Sequence, residues 1–346
     1  MKSRKECMRA SVINLVAVVA LYALLMLLMQ TGVINSYYKG ILMLILVNIV
    51  LAVSLNITTG FLGQIALGHA GFMSIGAYAA GLLAKAVGEP QTGNPAMDMA
   101  LSFGIFVVSL LVGGILAAVV GLAMGIPSLR LKGDYLAIIT LGFCQIIKVI
   151  IEYFDFTGGA QGLKQIPKLA AFSWVFWVTV LIVAVLFTFV RSRFGRAIMA
   201  IREDDIASEA CGIHNTYYKV LAFVVSAFFA GVAGAMYALF TGLLSAAKFD
   251  FNKSVDILVF VVLGGMGSLT GSVLAATGLT ILPEALREFS DYRMVIYSVA
   301  LILMMIFKPS GLLGRYEFSL TRLVDRVTGR GGKMSGPKAR KEAEKV

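Results

Sequence analysis

Long apolar stretches separated by short polar breaks dominate the chain. They cover roughly residues 11–29, 41–57, 66–87, 99–126, 136–153, 171–190, 220–244, 257–282 and 294–307. Most lie near the ~20 residues that an α-helix needs to cross the hydrocarbon core of a bilayer. The pattern predicts an all-α, polytopic transmembrane helical bundle of about nine to ten membrane segments. The first stretch follows Lys2, Arg4, Lys5 and Arg9. It is longer than the ~7–15-residue apolar region of a signal peptide, and no small-x-small cleavage site follows before Tyr37, so it reads as a span.

Two of the stretches are interrupted by glycine. One break runs through Gly60, Gly63, Gly68 and Gly71; the other runs through Gly264, Gly265, Gly267 and Gly271. Glycine serves close helix packing in membranes, and that role fits either segment alone. One broken segment in each half also points to a transport pathway built from repeated halves. Asn56, Gln64 and His69 around the first break favour the pathway, with Gly68, Gly265 and Gly267 as further candidates to line a central cavity. His69 also suits a structural role, donating to carbonyls left unpaired where the helix breaks.

Charge fixes the expected topology. The residues are 59% hydrophobic and 14% charged, with a net charge of +11, a composition no soluble domain hides in its core. Residues 1–10, 191–219 and 308–346 hold 19 of the 30 Lys and Arg. Clusters of this kind mark cytoplasmic segments. The reading is a cytosolic N-terminus at 1–10, a transmembrane domain at 11–314 with a cytosolic loop at 191–219, and a basic cytosolic tail at 315–346. A tail on the inner side requires an even number of passes, which the stretch 257–282 supplies if its glycine break divides it in two. In the tail, Tyr316, Leu320, Leu323, Val324 and Val327 share one helical face, suited either to the membrane interface or to the protein's own inner side. No basic face interleaved with aromatics suggests nucleic acid.

Enzymatic and ion-coupled chemistry find little support. Cys7, Cys144 and Cys211 have no metal spacing, and the only histidines are His69 and His214. The segment 331–335 fails as a phosphate loop, because Met334 follows Lys333 and Val327 stands where the first glycine belongs. An ion-coupled carrier usually places a carboxylate at mid-membrane. Here Lys148, Glu152, Asp256, Glu284, Arg287 and Glu288 fall at span ends, where snorkelling pairs are the simpler reading. The chain is expected to be a transport subunit and not an enzyme, to bind no cofactor or metal, and to draw on ATP only through another subunit.

The loop 191–219 is longer than a turn requires, forms helix, and has Gly212 where a helix C-terminus favours glycine. It looks built for docking. Gly195, Arg196, Ile198, Ile201, Arg202, Glu203, Asp204, Ala207 and Gly212 are its candidate coupling residues. Ile198, Ile201 and Ala207 are expected to fill a partner's groove, with Arg202, Glu203 and Asp204 at the rim.

This loop resembles the cytosolic coupling loop of ABC import permeases, whose pattern is Glu-Ala-Ala-x-x-x-Gly. Ala207 and Gly212 fit; Ile206 and Ser208 depart from it. Residues 196–212, 60–78, 129–141, 157–159, 263–271 and 307–312 are each similar, in order, to the branched-chain amino-acid permease family. The likeness covers roughly 56–314 and is nearest to the LivM-type subunit. Thr140 joins the pathway candidates through its place in a matching motif. The resemblance implies a LivH-type second permease, two cytosolic ATPase subunits, an extracytoplasmic substrate-binding protein and a bacterial inner membrane. The implied cargo is leucine, isoleucine and valine. Import of urea, amides or another small polar solute on the same scaffold is the alternative.

Overall fold

In a computed structural model of the chain, the described residues are 4–32, 34–90, 93–128, 134–287, 292–308, 311–312 and 314. Residues 315–346, with the expected amphipathic tail helix, lie outside them, as do 129–133 within one of the motifs above. The described residues form twelve α-helices and one isolated bridge between Leu163 and Leu244. Two units are distinguished by internal contacts, Met1–Tyr38 with Glu317–Val346, and Lys39–Tyr316. In the first, α1 (Arg4–Gln30) exposes Leu15, Leu21, Leu24 and Leu27, as a lipid-facing helix does.

Among the described residues, six helices are long and apolar enough to cross a membrane. They are α2 (Ser36–Asn56) with its continuation Ile57–Phe61, α3 (His69–Val87), α4 (Pro95–Ser128), α5 (Asp134–Tyr153), α6 (Phe172–Arg191) and α9 (Asn215–Thr241). Between α6 and α9 lie α7 (Arg193–Glu203) and α8 (Asp205–Ala210). Three shorter apolar helices follow, α10 (Phe251–Gly264), α11 (Leu269–Ala285) and α12 (Arg293–Phe307). This is the all-α polytopic bundle that the apolar pattern predicts.

The core is α3, α4 and α9, and small residues let their backbones nearly touch. On α9, Ala227, Ala230, Gly231, Ala233, Gly234 and Ala238 are all buried. A Cβ on Gly76 would lie 2.1 Å from the carbonyl oxygen of Gly231, and one on Gly234 would lie 1.9 Å from that of Met73. No side chain fits at either place. The α2 residues from Met43 onward are almost continuously buried, as expected of a helix that is apolar all round.

The stretch 257–282 resolves into two helices. Gly264 meets Gly271, while Lys253 on α10 and Thr280 on α11 both bond to Asn48, so α10 and α11 form an antiparallel hairpin. Gly265 (φ +110°) and Gly267 (φ +93°) make its turn in backbone conformations that side chains rarely adopt. The division that charge parity calls for is present, and Leu312 N–H closes on the Leu263 carbonyl beside it (2.7 Å).

Candidate functional site

The first break begins where α2 ends. Ile57–Phe61 continues it as a π-helical turn, closed by Leu62 N–H on Ile57 O (3.0 Å) and Gln64 N–H on Thr58 O (3.0 Å). A helix end leaves its last carbonyls without intrahelical donors. In an apolar setting those carbonyls must find partners elsewhere.

Asn56 joins the two breaks. Fully buried, it donates from Nδ2 to Ser268 O (2.9 Å) and Ser272 Oγ (2.9 Å), and accepts at Oδ1 from Gly267 N–H (3.0 Å). A Cβ on Gly60 would fall 2.4 Å from the Gly267 nitrogen. The breaks therefore close directly on one another at this point.

A second cluster lies beside the first. A Cβ on Gly68 would sit 2.4 Å from the Thr140 carbonyl oxygen; Thr140 Oγ1 accepts from Leu67 N–H (3.0 Å) and donates to Ala137 O (2.9 Å). His69 is 2% exposed, and its Nε2 meets Ser54 Oγ at 2.9 Å. Ala70 N–H, one of the orphan donors at the start of α3, bonds to Ser254 Oγ (3.1 Å). Gln64 is half-buried, and its Oε1 has no hydrogen-bond partner among the described residues. Of the seven pathway candidates, Asn56 and Gly267 meet at the closed junction of the breaks, and Gly265 packs instead against Gly311 and Gly314. Gly68 and Thr140 form the adjoining packed contact, and His69 bonds to Ser54.

The polar segment between α6 and α9 is a braced bracket. Ser192 caps α7, and Gly195 presses on the end of α6, where a Cβ would lie 2.0 Å from Val190 O. The single helix expected over 196–212 is instead two. Asp204 interrupts it with extended backbone and caps α8, its Oδ1 accepting from Ile206 and Ala207 N–H (2.9 Å each). Asp205 pairs with Lys219 (2.9 Å) and accepts from Asn215 Nδ2 (2.8 Å), while Ser208 Oγ donates to Asn215 Oδ1 (3.0 Å). These bonds lash α8 to the base of α9. Gly212 ends the bracket at φ +85°.

Three residues in the bracket lie differently from the sequence expectation. Ile198 (1% exposed) and Ile201 (4%) are buried within this chain, which removes them from a partner's reach. The large apolar side chains left exposed are Phe194 and Ile206. Arg202, expected at a rim, turns inward. Its guanidinium donates to Gly60 O, its stem covers Gly63, and its Nη1 lies 3.0 Å from where a Cβ on Gly267 would be. Arg196, Glu203, Asp204, Ala207 and Gly212 remain exposed. An alternation of apolar and polar residues gives no sign that Arg202 belongs inside; the glycines facing it are the available clue.

A multi-pass helical membrane protein whose two glycine breaks converge on one interfacial arginine is the class this architecture defines. The family profile described as branched-chain amino acid transport system / permease component matches residues 37–307, and the chain belongs to that family. It is 35% identical over 305 residues to the high-affinity branched-chain amino acid transport system permease protein LivM of Escherichia coli K12, covering 78% of this chain and 68% of that one. A probable LivM of Methanocaldococcus jannaschii is 26% identical over 310 residues, 76% and 89% of the two chains. The LivH permease of Escherichia coli K12 is 34% identical over 157 residues, 44% of this chain and 50% of that one. No solved structure matches the chain.

Proposed function

We propose that the chain is one of two permease subunits of an ATP-driven importer for leucine, isoleucine and valine in a bacterial inner membrane. A LivH-type chain is the second permease, two ATPase subunits sit on the cytosolic side, and a binding protein delivers the amino acid from outside. Both termini and the α7–α8 bracket face the cytosol, in keeping with their Lys and Arg.

The contact of Arg202 with Gly60, Gly63 and Gly267 is the observation that carries this reading. It links the bracket to both glycine breaks through one side chain. A force applied to α7–α8 from the cytosol reaches the breaks through Arg202, and reaches α9 through the Asp205–Lys219 pair. ATP hydrolysis takes place in the partner subunits and drives this movement.

The test is uptake by the reconstituted complex. Ile206→Asp, at an exposed position, is expected to release the ATPase or abolish its response to loaded binding protein while this chain folds normally. Ile201→Asp, at a buried one, is expected to unfold the bracket itself. Normal ATP-dependent leucine uptake by the Ile206 variant would remove docking from this face. Loss of another solute's uptake, with leucine, isoleucine and valine unaffected, in cells lacking the chain would overturn the cargo assignment.

A further inference from the structure

At the N-terminal end of α10, away from the breaks, a cavity of about 370 Å³ opens between α2, α3, α9 and α10. That volume lies in the lower range of small-molecule sites. Lys253 and Asp256 line it one helical turn apart, a spacing that brings Cβ atoms within about 5–6 Å. The two are not an ion pair, since no nitrogen–oxygen contact of 4 Å or less joins them among the described residues.

Lys253 is held in place by a relay. Its Nζ donates to Asn48 Oδ1 (3.0 Å), Asn48 Nδ2 donates to Thr280 Oγ1 (3.0 Å), and Thr280 Oγ1 donates to Ala276 O (2.6 Å). The relay fixes which way the Asn48 amide faces. An ammonium has three protons, and Asn48 takes one. Asp256 is exposed and accepts no hydrogen bond among the described residues. Charged groups on a membrane helix are costly unless a partner or a function retains them. Lys248 and Asp250 also line the cavity, Asp250 being already engaged by Gln145 and Lys148. Val47, Met73 and Phe249 are buried and apolar, and Phe249 meets the Tyr237 ring edge-on at 6.0 Å.

We propose that this cavity seats a zwitterionic amino acid, with Lys253 binding the α-carboxylate, Asp256 binding the α-ammonium, and the Val47, Met73 and Phe249 wall taking a branched aliphatic side chain. The inference rests on the import reading and gives it a site. A cation and an anion one turn apart match the two charges that every α-amino acid carries on one carbon. The apolar wall selects among amino acids. Some eleven residues, roughly 16 Å of helix, separate Lys253 from the turn at Gly264, so the seat precedes the breaks along α10.

The test uses the assembled importer, this chain with its second permease and ATPases, and L-leucine as probe. Lys253→Met and Asp256→Asn are each expected to lower leucine uptake about tenfold or more, the scale of losing one charged hydrogen bond. ATPase stimulation by loaded binding protein should persist, and Lys253→Arg should retain most uptake. Without binding protein, leucine should raise the thermal midpoint of the parent complex and not of the two variants. Leucinamide and 4-methylpentanoate, each lacking one charge, should not. Wild-type uptake by both variants overturns the seat and leaves the import reading standing. Dissociation of the second permease from Asp256→Asn also overturns it, assigning these charges to assembly. If the parent carries no branched-chain amino acid but another zwitterion whose uptake needs both residues, the cargo assignment falls and the seat stands. Should Lys253→Met fold poorly, Asp256→Asn, at an exposed position, decides.

Discussion

The guanidinium of Arg202 donates to the main-chain carbonyl of Gly60, across 142 residues of sequence. The acceptor is one of the carbonyls left over at the π-helical end of α2, and the donor stands on the bracket outside the bundle. The bond satisfies a group that lipid leaves unpaired, and it ties the bracket to the breaks.

Replacing Arg202 tests both roles. Arg202→Ala removes a charge-assisted bond, a loss of about 1.5–3 kcal/mol. Leucine uptake in proteoliposomes should fall while the ATPases still co-purify. Arg202→Lys should restore part of it, because an ammonium reaches the carbonyl but lacks the planar fork. Unchanged uptake by Arg202→Ala would show that the contact carries no force.

Asn56 is the clamp between the breaks. Asn56→Leu strands Gly267 N–H in a buried place, at about 1–3 kcal/mol for an unsatisfied group, while Ser268 O keeps the N–H and Oγ of Ser272. A lowered thermal midpoint of the solubilised complex is expected, together with a larger loss of uptake than of assembly. Asn56→Asp should be nearly as harmful, because it retains the acceptor for Gly267 but turns oxygen towards the Ser268 carbonyl.

Glycines divide by what surrounds them. Nothing lies within 4 Å of a Cβ placed on Gly142 of α5 or Gly278 of α11. Alanine there should stabilise by about 0.5–1 kcal/mol. Gly234→Ala, whose methyl collides with Met73, should destabilise by about 1–3 kcal/mol. Thermal midpoints of the three variants check the contrast. A loss of complex in Gly142→Ala would mark a face covered by a partner.

Acid should weaken the start of α10. Asp250 accepts from Gln145 Nε2 (2.8 Å) and Phe251 N–H (2.7 Å) and pairs with Lys148 (3.3 Å), which holds its carboxyl below the usual carboxylate value. Its contribution is complete above about pH 4, the ordinary unfolded value, and is lost as pH falls through the lower folded one. Asp250→Asn should flatten this part of the stability profile, measured as the difference in thermal midpoint between variant and parent from pH 6 to pH 3.

Apolar length alone marked most helices to within a few residues, from α3 to α12, because a membrane span is set by hydrocarbon thickness. The hairpin was legible at Gly264–Gly271, since glycine and charge parity demanded the same division. The bracket was less so. A stripe such as Ile198 and Ile201 says that something covers it, and only the packing says that this chain does. Asp204 interrupts the helix through a side-chain cap, which hydrophobic periodicity does not register. Lys253 escaped notice because it stands in the polar run that opens α10, where a lysine usually snorkels; its meaning depends on Asn48, 205 positions away.

The contact of Gly76 with Gly231 has a genetic corollary. Here main chain abuts main chain, so when one partner acquires a side chain, the other has none to surrender. A pair of bulky residues can drift by trading volume, but this pair has no volume to trade. Selection for revertants of Gly76→Ser should return glycine at the same codon, and no suppressor should arise at position 231.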